Sequence, residues 1–424
     1  PATFNNTALL FYPMLTDDVL NEIKPSSAEE KGVLAIASAV MQKIRIPNAT
    51  PVLGGSFAKG TWLKGNHDVD IYVKFTKAFY SGKNISTVLE KELKKSFKDV
   101  EVLHGSRDYF QLKMKDFTVE LVPIIEINHA DEAENITDVS LLHVKWVSHH
   151  RQLLDDMRMA KAFFKANRIY GAESYIQGFS GYVLEILTVY YSGFEELIEN
   201  IAKWDISKRV VIDIEGYHKG KALIAELNKA KLYSPLILID PVQKERNAAA
   251  GLSWDVYEKA IILARKYIEK PSLKFFEKEC VTKAILKKKA GKNAFFMIEA
   301  KAVDGKRDIV GAKLLKCFEH AKKELVSHEF KLIDSGWEWE NNALFWFIVP
   351  KEKLSLLYKH PGPPVSEPER LMQFKQAWHE REVLEEDGVS YVLAKRKFRD
   401  AKNLLKSVIN DDYFMERVKS AKLL

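Results

Sequence analysis

The sequence predicts a multidomain α+β protein, on three observations. Residues 68–75, DVDIYVKF, alternate polar and apolar side chains with the period of a half-buried strand, and residues 117–127, FTVELVPIIEI, are an apolar run of strand length. Ser26, Ser27 and the pair Glu29-Glu30 instead give a helix-start signal before KGVLAIASAVMQKI, whose apolar spacing fits a helix packed on a sheet. Third, at 424 residues the chain is long for one domain, which suggests roughly two to four, and from about Lys278 it shifts to Lys-rich helices alternating with aromatic strands.

Taken in order, residues 1–46 read as helical, followed by strands near 50–53 and 68–75 and a basic helix over 86–98. Strands near 100–104, 109–115 and 117–127 complete a first sheet. Residues 140–167 read as helix. Residues 178–194, GFSGYVLEILTVYYSGF, read as a buried helix whose glycines permit close packing, with no catalytic role assigned. The apolar strand 236–239 delivers Asp240-Pro241 and then a loop carrying Arg246-Asn247. Farther on, 294–300, 330–339 and 343–350 are strand-like, with a helix over 309–327. Most aromatics of GWEWENNALFWFIV belong to a core, because alternating aromatics on strands usually face inward. His360-Pro361-Gly362-Pro363-Pro364 reads as a rigid turn that cannot be regular structure.

The chemistry concentrates in residues 52–75, VLGGSFAKGTWLKGNHDVDIYVKF. On a strand Asp68 and Asp70 share one face, and adjacent carboxylates repel unless cations lie between them. Upstream, Gly55-Ser56 at a helix start offers backbone N–H groups and a hydroxyl to phosphate oxygens. Glu120 lies inside an apolar run, where an unpaired carboxylate is costly and calls for a cation. Each piece alone has a plain structural reading, as a solvated strand face, a turn or a sheet edge. Joined in this order, they read as a nucleoside triphosphate and its Mg²⁺ ions held on one sheet.

Composition bounds the class. With 46% hydrophobic residues the chain builds sizeable cores, and the absence of an apolar run of membrane-spanning length predicts a soluble, cytoplasmic protein with no membrane partner. Cys280 and Cys317 lack metal-type spacing and are expected as buried, reduced thiols. Net charge is −3 over residues 1–140, +4 over 141–275 and +6 over 276–424, which fits an enzyme whose rear holds a polyanion. Lys395, Arg396, Lys397 and Arg399 lie in the densest basic cluster, a candidate RNA contact weighed evenly against a solvated charge run.

The pattern resembles the nucleotidyltransferase superfamily that includes DNA polymerase β, and more closely its archaeal-type (class I) CCA-adding branch. Beyond GGSFAKGTWLKG, the resemblance rests on LLHVKW (141–146), KANRIYGAE (165–173), GFSGYVLEIL (178–187), DPVQKERNAAAGLS (240–253), PSLKFF (271–276) and HPGPPV (360–365). It implies a polymerase β-like catalytic head over 1–140, a mainly helical nucleotide-binding domain over 141–277, and α/β tRNA-binding modules over 278–424. The implied activity is addition or repair of the 3′ CCA of tRNA from CTP and ATP, with two Mg²⁺ ions on Asp68, Asp70 and Glu120. Gly55, Ser56, Lys59, Ser140, His143, Lys161 and Tyr170 would meet the nucleotide and Arg246 its base; a homodimer is the assembly considered. Two departures stand out: Glu120 replaces the usual Asp, and Arg107-Asp108-Tyr109 replaces a His-Pro-Tyr turn. The alternatives are a single-nucleotide RNA polymerase of poly(A) or terminal uridylyl type, and a non-catalytic RNA-binding protein of the same fold.

Overall fold

The computed structural model describes residues 8–65, 68–114, 117–218, 232–278 and 281–424. They fall into two compact units that divide between residues 279 and 280.

The first unit begins with helices α1 (Ala8–Ile23) and α2 (Ser27–Met41). Ser26 caps α2 through a reciprocal box with Glu29, as its sequence predicts. Strand β1 (Ala49–Leu53), the one-turn helix α3 (Gly55–Lys59), β2 (Asp68–Thr76), helices α4 (Lys77–Tyr80) and α5 (Ile85–Ser96), and strands β3 (Glu101–Leu103), β4 (Tyr109–Lys113) and β5 (Thr118–Glu126) follow. The strands form one sheet in the order β1-β2-β5-β4-β3, with β2 and β5 parallel. Val69, Ile71, Val73 and Phe75 of β2 are fully buried in one core with Val33, Ala37 and Val40 of α2 and Leu89 and Leu93 of α5. The period of two therefore turns Asp68 and Asp70 to the opposite face.

Residues 140–167 are not one helix but two, α6 (Ser140–Ser148) and α7 (Leu154–Ala166), separated by a short 3₁₀ turn at Arg151–Leu153. Asp155 and Asp156 in the first turn of α7 favour a new helix start there, because carboxylates complement the positive N-terminal dipole. Helices α8 (Gly181–Tyr191), α9 (Phe194–Lys203) and α10 (Trp254–Glu269) pack with α7 around Phe163, Phe164, Phe194 and Tyr267. A small sheet of β6 (Val210–Ile212), β7 (Leu236–Asp240) and β8 (Gln243–Asn247) completes the unit. Arg246 thus lies on a strand of a β7–β8 hairpin rather than in a loop.

The second unit starts with α11 (Lys283–Ala290), β9 (Ala294–Ala302), α12 (Arg307–Ser327), β10 (Asp334–Trp339) and β11 (Ala343–Val349). Strands β10, β11, β9 and the last strand β15 (Val418–Leu423) form an antiparallel sheet in that order. Phe345, Phe347 and Val349 are buried in its core with Leu314 and Phe318 of α12, so the aromatic run is mainly core as predicted. Helices α13 (Pro368–Ala377), α14 (Ala401–Val408) and α15 (Asp412–Met415) belong to the same unit. A separate sheet has the order β12 (Leu357–Pro364), β14 (Val389–Lys395), β13 (Val383–Glu386). The HPGPP run, expected as a turn, is therefore strand. Its prolines are tolerated because β12 is an edge strand and its register shifts between Pro361 and Pro364, so no continuous ladder of N–H donors is needed. Cys317 is a buried free thiol whose pKa burial pushes up to about 12, while Cys280 lies outside the described residues.

Candidate active site

The site grows from the sheet face that carries the carboxylates. In the parallel β2–β5 pair Asp70 is the register partner of Glu120, and Asp68 the partner of Thr118. Burial and the neighbouring Asp68 charge push Asp70 up to about 6. Burial and the Asp70 charge push Glu120 up to about 7, although Gln111 donates to it at 3.2 Å. Among the described residues no three acidic, His or Cys side chains already close on one point as a finished metal cage. The donor set nevertheless fits a hard divalent cation, because like charges held together on a half-buried face need a cation between them and offer only oxygen ligands.

The Gly54-Gly55 turn lies directly on this face. Gly55 has φ +56°, and a Cβ added there would stand 1.6 Å from Asp70 Oδ2, so only glycine allows the backbone this close. Gly54 N donates to the Asp70 carbonyl at 2.8 Å, and Thr61 N to the Ser56 carbonyl at 3.0 Å, which closes the loop around Ser56 and Lys59. The Tyr72 hydroxyl, whose pKa burial pushes to about 12, bonds to Ser140 and the Gly55 N–H, tying α6 to the turn.

Lys59 and Lys161 come together on one carboxylate that the sequence reading did not single out. Lys59 Nζ donates to Glu185 Oε2 at 2.7 Å, Thr61 Oγ1 donates to Glu185 Oε1 at 2.7 Å, and Lys161 Nζ stands 4.0 Å from Oε1. Lys161 also donates to the Thr61 carbonyl at 2.9 Å, and burial pulls its pKa down to about 8. Both lysines lower the Asp70 titration, so network and carboxylates form one electrostatic site. Tyr170 stands alongside, with Lys165 Nζ 5.6 Å from its ring and burial raising its hydroxyl pKa.

His143 and Arg246 meet on a second missed carboxylate, Asp240, which is fully buried. His143 Nε2 lies 3.1 Å from Asp240 Oδ2, Arg246 Nη1 donates to the same oxygen at 2.5 Å, and Tyr182 Oη and Val242 N donate to Oδ1 at 3.1 and 3.0 Å. Burial alone would raise the Asp240 pKa; His143, Arg246 and Val242 outweigh it and hold it at about 2. Burial pulls His143 below its usual range. Its ring stacks on that of Tyr182 with centroids 3.9 Å apart, and Lys59 Nζ lies 4.7 Å from the centroid of the same Tyr182 ring. A carboxylate ending a short apolar strand was the available signal for Asp240. Helix α8, read as packing alone, supplies both Tyr182 and Glu185.

The turn at Arg107 has a structural job. Its guanidinium pairs with buried Asp138, which also accepts from the Ile125, Glu134 and Asn135 N–H groups, and so fixes the approach to α6. In the second unit, Arg396 is paired with Glu329 and lies 5.0 Å from the Tyr358 ring, and Arg399 Nε donates to the Leu354 carbonyl at 2.9 Å. Lys395 is exposed at the end of β14, and Lys397 Nζ lies 5.3 Å from the Phe398 ring.

Family models match along the chain: the nucleotidyltransferase domain over residues 36–141, the second domain of tRNA nucleotidyltransferase over 155–277, and the C-terminal domain of CCA-adding enzymes over 293–419. The chain is 36% identical over 348 residues to the CCA-adding enzyme of Nanoarchaeum equitans, covering 82% of this chain and 84% of that one. It is 30% identical over 394 residues to that of Sulfurisphaera tokodaii, covering 91% and 89%. A solved cytoplasmic RNA terminal U-transferase aligns at TM-score 0.50 and 17% identity, covering 63% of this chain and 98% of that one, a likeness of fold alone. With identity of this extent and all three family models in order, the chain belongs to the CCA-adding enzymes, a family of tRNA nucleotidyltransferases.

Proposed function

We propose that this chain builds or repairs the 3′ CCA of tRNA from CTP and ATP without a nucleic-acid template, the primer's 3′ hydroxyl attacking the α-phosphorus as pyrophosphate leaves. The observation that carries the reading is the register pair Asp70–Glu120 beside Asp68 on the face that Gly55 abuts. Asp68, Asp70 and Glu120 would hold two Mg²⁺ ions, which when bound supply positive charge for the attacking hydroxyl and the leaving phosphates. The chain's own part is binding and orientation. Gly55 and Ser56 offer donors to phosphate oxygens, Lys59 and Lys161 supply compact positive charge, and Ser140, His143 and Tyr170 line the same nucleotide site.

Arg246 reads the base in this proposal. C and A present an exocyclic amino group beside a ring-nitrogen acceptor, whereas U and G present a carbonyl and a ring N–H in the corresponding places. A guanidinium offers donors only, so it bonds the ring nitrogen of C or A and faces an N–H in U or G. Phosphate oxygens of the bound tRNA would accept from the amino group. Residues 1–140 act as the catalytic head, 141–277 as the nucleotide-binding domain and 278–424 as the part that grips tRNA. In the test, Asp68→Ala or Asp70→Ala abolishes nucleotide addition while tRNA binding survives; substantial Mg²⁺-dependent incorporation by either variant contradicts the metal assignment.

A further inference from the structure

We infer that Glu185 is a positioning residue of the nucleotide site: from α8 it holds Lys59 and Lys161 side by side for a triphosphate, which then replaces it as their main anionic partner. The inference rests on the proposed phosphate role of the two lysines.

Three observations carry it. First, the cluster is unbalanced for a structural ion pair. Side-chain exposures are 11% for Lys59, 6% for Lys161 and 2% for Glu185, so two buried ammonium groups share one carboxylate. A buried pair kept for stability needs one cation; the second is held by the neutral Thr61 carbonyl and hydroxyl, which accept from Lys161 but do not balance its charge. Among the described residues Asp70, the anion whose carboxylate both lysines favour, makes no ion pair with either and is proposed above as a metal ligand. Second, the lysines come from different elements, α3 and α7, and Glu185 joins them through Thr61, whose hydroxyl donates to Glu185 and whose carbonyl accepts from Lys161. The carboxylate thereby fixes the loop that carries Ser56 as well as both cations. Third, the start of α8 is cut to fit. A Cβ on Gly181 would stand 3.0 Å from the Tyr170 hydroxyl and 3.5 Å from Lys161 Cε, so glycine lets two nucleotide-facing side chains lie against the helix that bears Glu185.

The groups facing Lys161 are Glu185 on α8, Lys59 on α3, Arg158 and Lys165 on its own helix, the Tyr170 hydroxyl and Asp70. Among them Glu185 contributes most to keeping Lys161 charged, against burial and three cations. Removing its charge lets Lys161 lose its proton nearer neutrality, and with it the attraction for phosphate.

The test uses the full chain with Glu185→Gln and Glu185→Asp, measuring the dissociation constant of CTP, and KM and kcat on a tRNA substrate, from pH 6.5 to 9. Glu185→Gln is expected to raise KM and the CTP dissociation constant about tenfold at pH 7.5, with a smaller effect on kcat. The defect should grow toward pH 9, and Glu185→Asp should recover most of the binding. A defect equal at every pH, an Asp variant as impaired as the Gln variant, or lost kcat with unchanged KM overturns the inference. If Glu185→Gln does not fold, Thr61→Val keeps the charge and removes its orienting hydroxyl; weakened CTP binding at all pH values is expected, and unchanged binding overturns it. Lys161→Met separates the two claims, because unchanged CTP binding in that variant defeats the phosphate role itself, whatever Glu185 does.

Discussion

Asp70 of β2 and Glu120 of β5 are register partners on parallel neighbouring strands, so two carboxylates penalised by burial also repel each other. Their folded-state pKa values, about 6 and about 7, lie above the ordinary 3.8 and 4.5. A raised carboxylate pKa means that folding favours the protonated form. The metal-free protein therefore loses stability as pH rises from about 4 through 7, by on the order of 1 kcal/mol or more from this pair. Asp70→Asn should flatten that loss. Mg²⁺ at pH 8 should raise Tm of the parent chain more than that of the variant, and parallel melting profiles for the two would refute the shared cation site.

Gly55→Ala tests how closely the turn must approach. The new methyl group would collide with Asp70 Oδ2 at a φ that alanine disfavours, so the loop or the carboxylate must move. Addition activity should fall by about a hundredfold or more while the chain stays folded, measured as kcat/KM beside a melting curve. Activity within a factor of about three of the parent would show that the contact is dispensable.

Much of this architecture was legible in the residues, and the exceptions have physical causes. The alternation of β2 placed Asp68 and Asp70 on one face because strand geometry is local. Glu185 and Asp240 carry no role in the sequence because their meaning is tertiary: within their own segments one sits in an apolar helix and the other ends an apolar strand. Their partners lie far away in sequence, Lys59 and Thr61 for Glu185, His143 for Asp240. The Pro-rich run at 360–364 misled for a related reason, since whether a proline breaks a strand depends on whether that strand is at an edge.

Asp240 holds Arg246 by a 2.5 Å bond, so if Arg246 reads the base as proposed, base selection depends on a residue that need not touch the base. Asp240→Asn should free the guanidinium and lower discrimination against UTP roughly ten- to hundredfold, with Arg246→Ala at least as severe. The measurement is kcat/KM for CTP, ATP and UTP on matched primers. A variant that is slower at an unchanged CTP-to-UTP ratio would place base selection elsewhere.

The basic cluster near the C-terminus separates into different expectations. Lys395 is exposed, whereas Arg396 is engaged with Glu329 and Tyr358. If this cluster grips phosphates, tRNA affinity falls steeply with salt, and Lys395→Ala should reduce the log–log slope by about 1 without changing Tm. Arg396→Ala should lower Tm as well as affinity. An unchanged salt slope in the Lys395 variant would remove it from the RNA contact.

The most direct measurement supplies the chain with Mg²⁺ and tRNA transcripts ending before the CCA, together with labelled CTP alone, ATP alone, UTP alone, or CTP and ATP together. Two cytidines are expected with CTP alone, a completed CCA and then a stop with both nucleotides, no incorporation of UTP, and no product from the Asp70→Ala chain. A long homopolymer from any one nucleotide, or a CCA end made by the Asp70→Ala chain, would contradict it.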